Sequence, residues 1–431
     1  MSSQTDIAAF IDQTSLVDTH EHMRFEHDYL ADGPDILVQL FQNYVSADLY
    51  VAGASQDALD RLYDRNDPDV AARFAPVQPA WETAQYTGYG EAVRIMAAEL
   101  YGLDDLTPDS IAAAQAANAA LLQPGERLRL LRDAANLDHI QTDGKSIDIK
   151  VDPSGPGFFF YDISWVDFCS GRPDHEAIGQ ATGLEVTDLP SLRRVMETIF
   201  ASSASAAIAV KTQHAYNRTL RWRERSDAEA ARALDVYLRD AGNMDEATRL
   251  CLGDWCWARG VELCIEHDLP QKIHTGYYAG HSRMPVDYIR SGHLSPLLAK
   301  YPDARFVLMH IAYPYTEELV ALAKHYPNVF ADLCWAWSIN PYSSVEFVRR
   351  FIHAAPANKL FLFGGDTNHP GPALAYARQA RTWFTRAMQA EIDDGLLTEP
   401  QAIDLAQRFM RDNQYDCFRV EAKKAIARAA A

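Results

Sequence analysis

Arg305-Phe-Val-Leu-Met-His310 decides the fold. Four apolar residues stand in a row between two polar ends, with no alternation of apolar and polar side chains. A strand with one wet face alternates, whereas a strand covered on both faces of a parallel sheet does not. The same pattern recurs downstream at Asn328-Val-Phe-Ala-Asp332 and Lys359-Leu-Phe-Leu-Phe-Gly364. Upstream it is found at Gln271-Lys-Ile-His274, Ala206-Ala-Ile-Ala-Val-Lys211, residues 157–163 and 137–142, and Ser15-Leu-Val-Asp-Thr-His20. Helical patterns at 294–300, 316–325 and 343–353 separate the later runs. Strand and helix in alternation, to a count of eight strands, predict an α/β protein, a (β/α)8 TIM barrel.

Spacing tests that expectation. A barrel of ordinary size uses about 31 residues per strand–helix unit. His274 and His310 are 36 residues apart, one unit, and His310 and Asp366 are 56 apart, two units. His22 and Lys211 are 189 apart, about twice the length that three units need. The excess lies between residues 25 and 135, with helical patterns at 68–74, 91–101 and 110–122. So long a loop rarely stays without structure, and a helical insertion after strand one is expected. Residues 226–268 form a second helical stretch after strand four, and the tail from Pro372 predicts long helices outside the barrel. The whole chain, 1–431, is expected to be one domain carrying the 25–135 subdomain.

Composition narrows the function classes. The chain has 431 residues, 48% hydrophobic and 23% charged, as in an ordinary globular protein. Its net charge of −19 argues against nucleic acid and against an anionic membrane surface as partners. Residues 1–13 lack a basic stretch followed by an apolar core, so no secretory leader is expected. No apolar run approaches the ~20 residues of a membrane span. Six cysteines in so long a chain do not form a disulfide framework, and a reducing cytoplasm is the default. Cys251, Cys256 and Cys264 lack metal-site spacing and fit helix packing. A homo-oligomeric enzyme acting on a small molecule is the expectation.

His20 and His22 are one residue apart, so on a strand both point to one face, a common grip on a divalent metal. Fourteen histidines in the chain make one such pair unsurprising by chance, and a hydrogen-bonded pair at a strand end explains it equally well. Lys211, His274, His310 and Asp366 change the balance, because each stands at or just past the end of an expected strand. In a barrel those ends converge on the face that carries active sites. A buried Lys and Asp need charge partners, and a metal centre provides them.

These residues resemble the amidohydrolase superfamily of metal-dependent barrels. The shared pattern is His-x-His on strand one (His20, His22), Lys on strand four (Lys211), His on strands five and six (His274, His310), and Asp on strand eight (Asp366). Lys211-Thr-Gln-His-Ala-Tyr216, His274-Thr-Gly276, His310-Ile-Ala-Tyr-Pro314 and Tyr326-Pro-Asn-Val-Phe-Ala-Asp332 look like the amidohydrolase-related branch. That branch includes uronate-isomerase-like barrels and the amidohydrolase domain sometimes fused to glutamine synthetase. The likeness covers most of residues 15–371 and Arg411-Asp-Asn413. It implies that His20, His22 and Asp366 hold one divalent ion, zinc before manganese, joined by His274 when only one ion is bound. In the two-ion form, the preferred one, a carboxylated Lys211 bridges, with His274 and His310 on the second ion; in the one-ion form Lys211 stands back to bind a substrate carboxylate. It also implies that Asp366 moves the proton of a metal-activated water, with His310 and Lys211 as its catalytic partners.

Substrate contacts are expected from the loops beyond the strand ends. Arg218 leads a run with Arg221, Arg223 and Arg225 that suits a carboxylate, although a solvated helix start explains the run too. Tyr277, His281, Trp335, Trp337 and His214 are candidates for the pocket wall, and Asn368 and His369 for support behind the ligands. No Gly-x-Ser-x-Gly elbow is present, and Gly364-Gly365 lacks the spacing of a phosphate loop. The leading expectation is a hydrolase cleaving an amide, ester or related bond in a small, carboxylate-bearing substrate. A decarboxylase, a uronate-type isomerase and a non-catalytic metal-stabilised subunit are the alternatives. Against the decarboxylase, His310-Ile-Ala-Tyr313 stands where its relatives carry His-x-Gly-Glu.

Overall fold

The computed structural model describes residues 6–430; the opening five residues of the stretch examined for a leader lie outside them. Eight strands form one sheet in chain order, each parallel to the next. They are β1 (Leu16–Glu21), β2 (Leu137–Thr142), β3 (Phe159–Ser164), β4 (Ala207–Thr212), β5 (Gln271–Ile273), β6 (Phe306–Leu308), β7 (Val329–Asp332) and β8 (Leu360–Phe361). The sheet curls into a barrel through bonds between β1 and the segment after β8. Thr19 N–H donates to the Phe363 carbonyl (3.0 Å), Asp366 N–H to the His20 carbonyl (2.9 Å) and His22 N–H to the Thr367 carbonyl (2.9 Å). Those three bonds also set the two ends of the candidate ligand set side by side.

The strands are buried almost throughout, as the unbroken apolar runs require. Several are shorter than the runs themselves. β5 stops before His274 and β6 two residues before His310, which frees both rings from the ladder. β8 keeps two residues, because Ala357–Lys359 coils into a 3-10 turn and Leu362 N–H bonds the Phe409 carbonyl. Asn413, in the Arg411-Asp-Asn413 segment, donates to the carbonyls of Ala357 and Leu360 at 2.8 Å each and so pins the start of β8.

Helices fill the excess between β1 and β2, running from Glu26–Asp32 to Glu126–Leu128. Polar side chains start them where expected. Asp35 accepts from Val38 N–H (3.0 Å), Ser55 from Ala58 N–H (3.1 Å) and Thr87 from Gly90 N–H (3.0 Å). The single helix expected over 110–122 is broken into Pro108–Ala114, a 3-10 turn at Gln115–Ala117, and Asn118–Leu121. Asn118 lies buried near the break, its amide held between the Pro34 carbonyl (2.8 Å) and the Tyr101 hydroxyl (2.9 Å).

This insertion is clamped to the C-terminal part of the chain. The helix Gly88–Tyr101 packs on Pro370–Asp393, where Gln379 donates to the Gly88 carbonyl (2.8 Å) and to Glu91 (2.6 Å), and Trp383 also donates to Glu91 (2.9 Å). Gly88 also lets the turn Ala336–Ile339 come close, since a Cβ there would stand 2.1 Å from the Ser338 carbonyl oxygen. The three cysteines of Glu246–Glu266 are free thiols, with Cys256 and Cys264 buried. Among the described residues, no helix is long and apolar enough to cross a membrane.

Candidate metal centre

His20 and His22 leave β1 on one face, and Asp366 meets them from the segment after β8. The Asp366 Oδ1 lies 3.3 Å from His20 Nε2 and 3.4 Å from His22 Nε2. Its other oxygen lies 3.8 Å from His310 Nε2. Lys211, buried on β4, brings Nζ to 3.3 Å from His20 Nε2. Five of the six expected ligands therefore gather around one carboxylate.

Hydrogen bonds orient the rings. A carbonyl only accepts, so His22 donates from Nδ1 to the Asp143 carbonyl (2.8 Å) and His310 from Nδ1 to the Cys334 carbonyl (2.9 Å). Each is left with an Nε2 lone pair facing Asp366, the arrangement that metal-binding histidines use. The His310 Nε2 is buried and has no hydrogen-bond partner in the protein. Burial pulls His22 and His310 down to about 4, so both rings are neutral at pH 7 and able to ligate. Burial alone would raise Asp366; the His20 hydrogen bond and the attraction of the His20, His310 and His22 rings, felt as they take up protons in acid, outweigh it and hold the carboxyl well below the usual range. These donors fit a divalent cation.

His274 stands apart from that set. Its Nε2 donates to the Tyr277 carbonyl at 3.0 Å, and its ring lies 4.5 Å from that of His310. Neither close-set ligand group, His20–His22–Asp366 or His310–Cys334–Asp366, includes it. Cys334 joins the second of these unheralded, and Asp162 stands beside His20 of the first. Cys334 follows β7 closely, and the barrel interior holds Asp162, whose Oδ2 is 3.8 Å from His20 Nδ1. Lys272 Nζ pairs with both Asp162 oxygens at 2.9 Å and donates to the Thr19 carbonyl. The only signal for them was a polar residue inside each of two apolar runs.

The expected substrate residues divide. Trp335 is buried with a left-handed φ of +60°, and its ring stands edge-on to His310 at 5.4 Å. Tyr277 lies 6.1 Å from it, and Tyr44 of the insertion packs on it at 4.3 Å while donating its hydroxyl to the Asp366 carbonyl. Asp366 and the run His310-Ile-Ala312 also take positive φ, a concentration of backbone strain at one place. His281 is exposed and stacks on Tyr50 at 3.7 Å. His214 is buried against Trp257, bonded to the Thr212 hydroxyl (2.8 Å). His369 is buried and pulled down to about 4, while Trp337 donates to the Leu362 carbonyl.

Arg218 corrects its expectation. Its guanidinium is fully buried, bonded to Asp254 (2.6 Å) and to the carbonyls of Thr219, Cys169 and Arg221, so its donors are engaged within the protein. Cationic donors near the metal centre come from elsewhere. A cavity of about 440 Å³ opens beside His22 and Asp162, its walls mixing Arg24, Lys145 and Lys150 with Asp28, Asp143 and Asp148.

A family model described as "Amidohydrolase" matches residues 192–399. Protein fluG of Emericella nidulans is 27% identical over 168 residues, which are 38% of this chain and 19% of that protein's length. The fold is similar to glucuronate isomerase from Caulobacter crescentus (TM-score 0.77, 16% identity, covering 96% of this chain and 93% of that one). It is similar also to uronate isomerase from Thermotoga maritima (TM-score 0.78, 10% identity, 96% of each chain). A protein from Lactobacillus casei described as a candidate metal-dependent hydrolase superposes with a TM-score of 0.66 at 15% identity, covering 98% and 99%. Matches at such identities establish the barrel; the family match and the His-x-His, Lys, His and Asp placed at its strand ends establish kinship. Residues 192–399, which include Lys211, His274, His310 and Asp366, thus match the amidohydrolase family, and His20 and His22 from the first strand complete the pattern that resembles its amidohydrolase-related branch.

Proposed function

We propose that this chain is a metal-dependent hydrolase of a small, carboxylate-bearing substrate, working with one divalent ion, zinc before manganese. One observation carries the reading: the neutral Nε2 atoms of His22 and His310, with His20, face the ionised Asp366, and His22 lines a cavity with polar walls. His20, His22 and Asp366 would hold the ion. A divalent ion there supplies Lewis acidity, which brings water towards a pKa of ~7 and polarises a carbonyl. Asp366, ionised at neutral pH, accepts the water proton and returns it to the leaving group. His310 Nε2, with its other nitrogen tied to Cys334, accepts a hydrogen bond from water or substrate and keeps it against the carboxylate. Lys145 and Lys150, set among Asp143 and Asp148, are the wall cations that would meet the substrate carboxylate. Trp335 and Tyr277 exclude solvent from the opposite side. The tie between His274 and the Tyr277 carbonyl favours one ion over two.

A uronate-type isomerase is the second reading, favoured by the hydroxyl and cationic groups of that cavity, which suit a polyhydroxylated acid. Oxygen isotopes separate the two. Turnover of lactone, ester and amide substrates in H2(18)O should place one solvent oxygen in the product. Aldose–ketose exchange of uronates without incorporation would overturn the hydrolase in favour of the isomerase. For either reaction, Asp366→Asn should fold normally and lose ~10²–10⁴-fold in turnover, the range for a missing general acid–base. Near-normal turnover would remove Asp366 from proton transfer.

A further inference from the structure

The segments that follow β3, β4 and β5 enclose a second cavity of about 390 Å³, lined by Asp167, Ser170, Arg172, Asn217, Arg249 and Arg283. It shares no lining residue with the cavity beside His22. Three guanidinium groups against one carboxylate reverse the balance of a chain whose net charge is −19. Like charges gathered without close counter-ions repel one another, and an anion between them removes that penalty.

Arg249 is the buried member of the three. Its side chain is 11% exposed and is fixed by bonds from Nη1 to the Ser170 carbonyl (3.2 Å) and from Nη2 to the Asn217 carbonyl (3.4 Å). Its one acidic neighbour, Glu246, stays 3.9 Å away and largely in solvent. Burial, together with the charges of Arg172 and Arg218, pulls the Arg249 guanidinium below the usual arginine range. Arg283 is anchored by one bond to the Tyr216 carbonyl (3.3 Å) and is otherwise exposed, as is Arg172. Ser170 provides an independent sign. It is 4% exposed, lines the cavity, and its hydroxyl has no hydrogen-bond partner in the protein. A buried hydroxyl left unpaired costs ~1–3 kcal/mol, and such groups are uncommon unless something else satisfies them.

We propose that this cavity binds a small dianion, a phosphate monoester or a dicarboxylate, with its oxygens on Arg172, Arg249 and Arg283 and one oxygen accepting from the Ser170 hydroxyl. Planar guanidinium forks match the oxygen spacing of both groups, and the volume suits a ligand of metabolite size. Arg218, sealed against Asp254, takes no part.

Calorimetric titration of the purified protein with inorganic phosphate, and separately with malonate at the same ionic strength, tests the site. One of the two should saturate at one per chain, and which one does so distinguishes a phosphoryl from a dicarboxylate ligand. Arg172→Ala combined with Arg283→Ala should weaken binding at least tenfold; both side chains are exposed, so the melting temperature should hold. Ser170→Ala should weaken binding several-fold. His22→Ala, which disturbs the metal centre, should leave it within twofold. Absence of saturable binding by either anion would overturn the proposal. So would binding that is lost in His22→Ala and unchanged in the double arginine variant, since the anion would then sit at the metal centre.

Discussion

Asp18 lies two residues before His20 and is buried completely, with Glu21 sharing its enclosure. Burial pushes the Asp18 carboxyl up to about 7, against hydrogen bonds from Glu21 and from the backbone N–H groups of His20 and Gly365. Glu21 is pushed well above its ordinary range by burial and by Asp18. Two carboxyls in one dry enclosure hold a proton between them. A carboxyl whose folded pKa exceeds its unfolded value contributes stability fully below about 3.8 and loses it as pH rises through about 7. Asp18→Asn removes that dependence while its amide oxygen still accepts from Glu21. In metal-stripped protein, the melting temperature of Asp18→Asn minus that of wild type should therefore climb between pH 4 and 7 and then level off. A difference that stays flat across this range would contradict the shared proton.

At the scale of elements, the turn after β8 is packed closely against the ligand-bearing strand. A Cβ on Gly365 would stand 2.1 Å from Glu21 Oε1, and one on Gly364 2.7 Å from Cys334 Sγ. Gly365→Ala must move either Glu21 or the Asp366 backbone, so metal affinity should fall at least tenfold and the melting temperature should drop. Gly179→Ala, in the exposed helix His175–Thr182 with open space around it, should leave both intact or raise stability by up to ~1 kcal/mol. Equal effects from the two substitutions would deny the turn its special role. The strands around this turn were legible because 306–308 and 360–363 are unbroken apolar runs, a pattern that only doubly covered strands need. His20, His22, Lys211, His310 and Asp366 were legible through their place at the run ends. The direction of a ring was not: His274 sits where the spacing puts it, yet a carbonyl three residues on turns its Nε2 aside. Arg218 is nearest the strand end in sequence, but its partner Asp254 comes from a helix 36 residues later. Asp162 and Lys272 each interrupt an apolar run, and only the closed barrel reveals that they neutralise one another.

Across the whole molecule, a chain with a net charge of −19 holds one cavity whose walls carry three arginines against a single aspartate, so overall charge does not set the field inside each site. A bound ion that ties β1 to the segment after β8 should stabilise the entire barrel. At a hundredfold excess over its dissociation constant it contributes ~2.7 kcal/mol, or roughly 3 °C in a chain of this size. Chelation should lower the melting temperature by about that much, and zinc or manganese should restore it. An unchanged melting curve would mean that the cluster holds no ion. The last consequence follows from Tyr44. Its hydroxyl, carried by a helix inserted after the first strand, grips the carbonyl of the aspartate that follows the last strand. Loop grafting, the usual route to new specificity on a barrel, is therefore closed at this position: whoever exchanges the insertion for another must rebuild the ligand it steadies, and substrate choice and metal retention will be inherited as one trait.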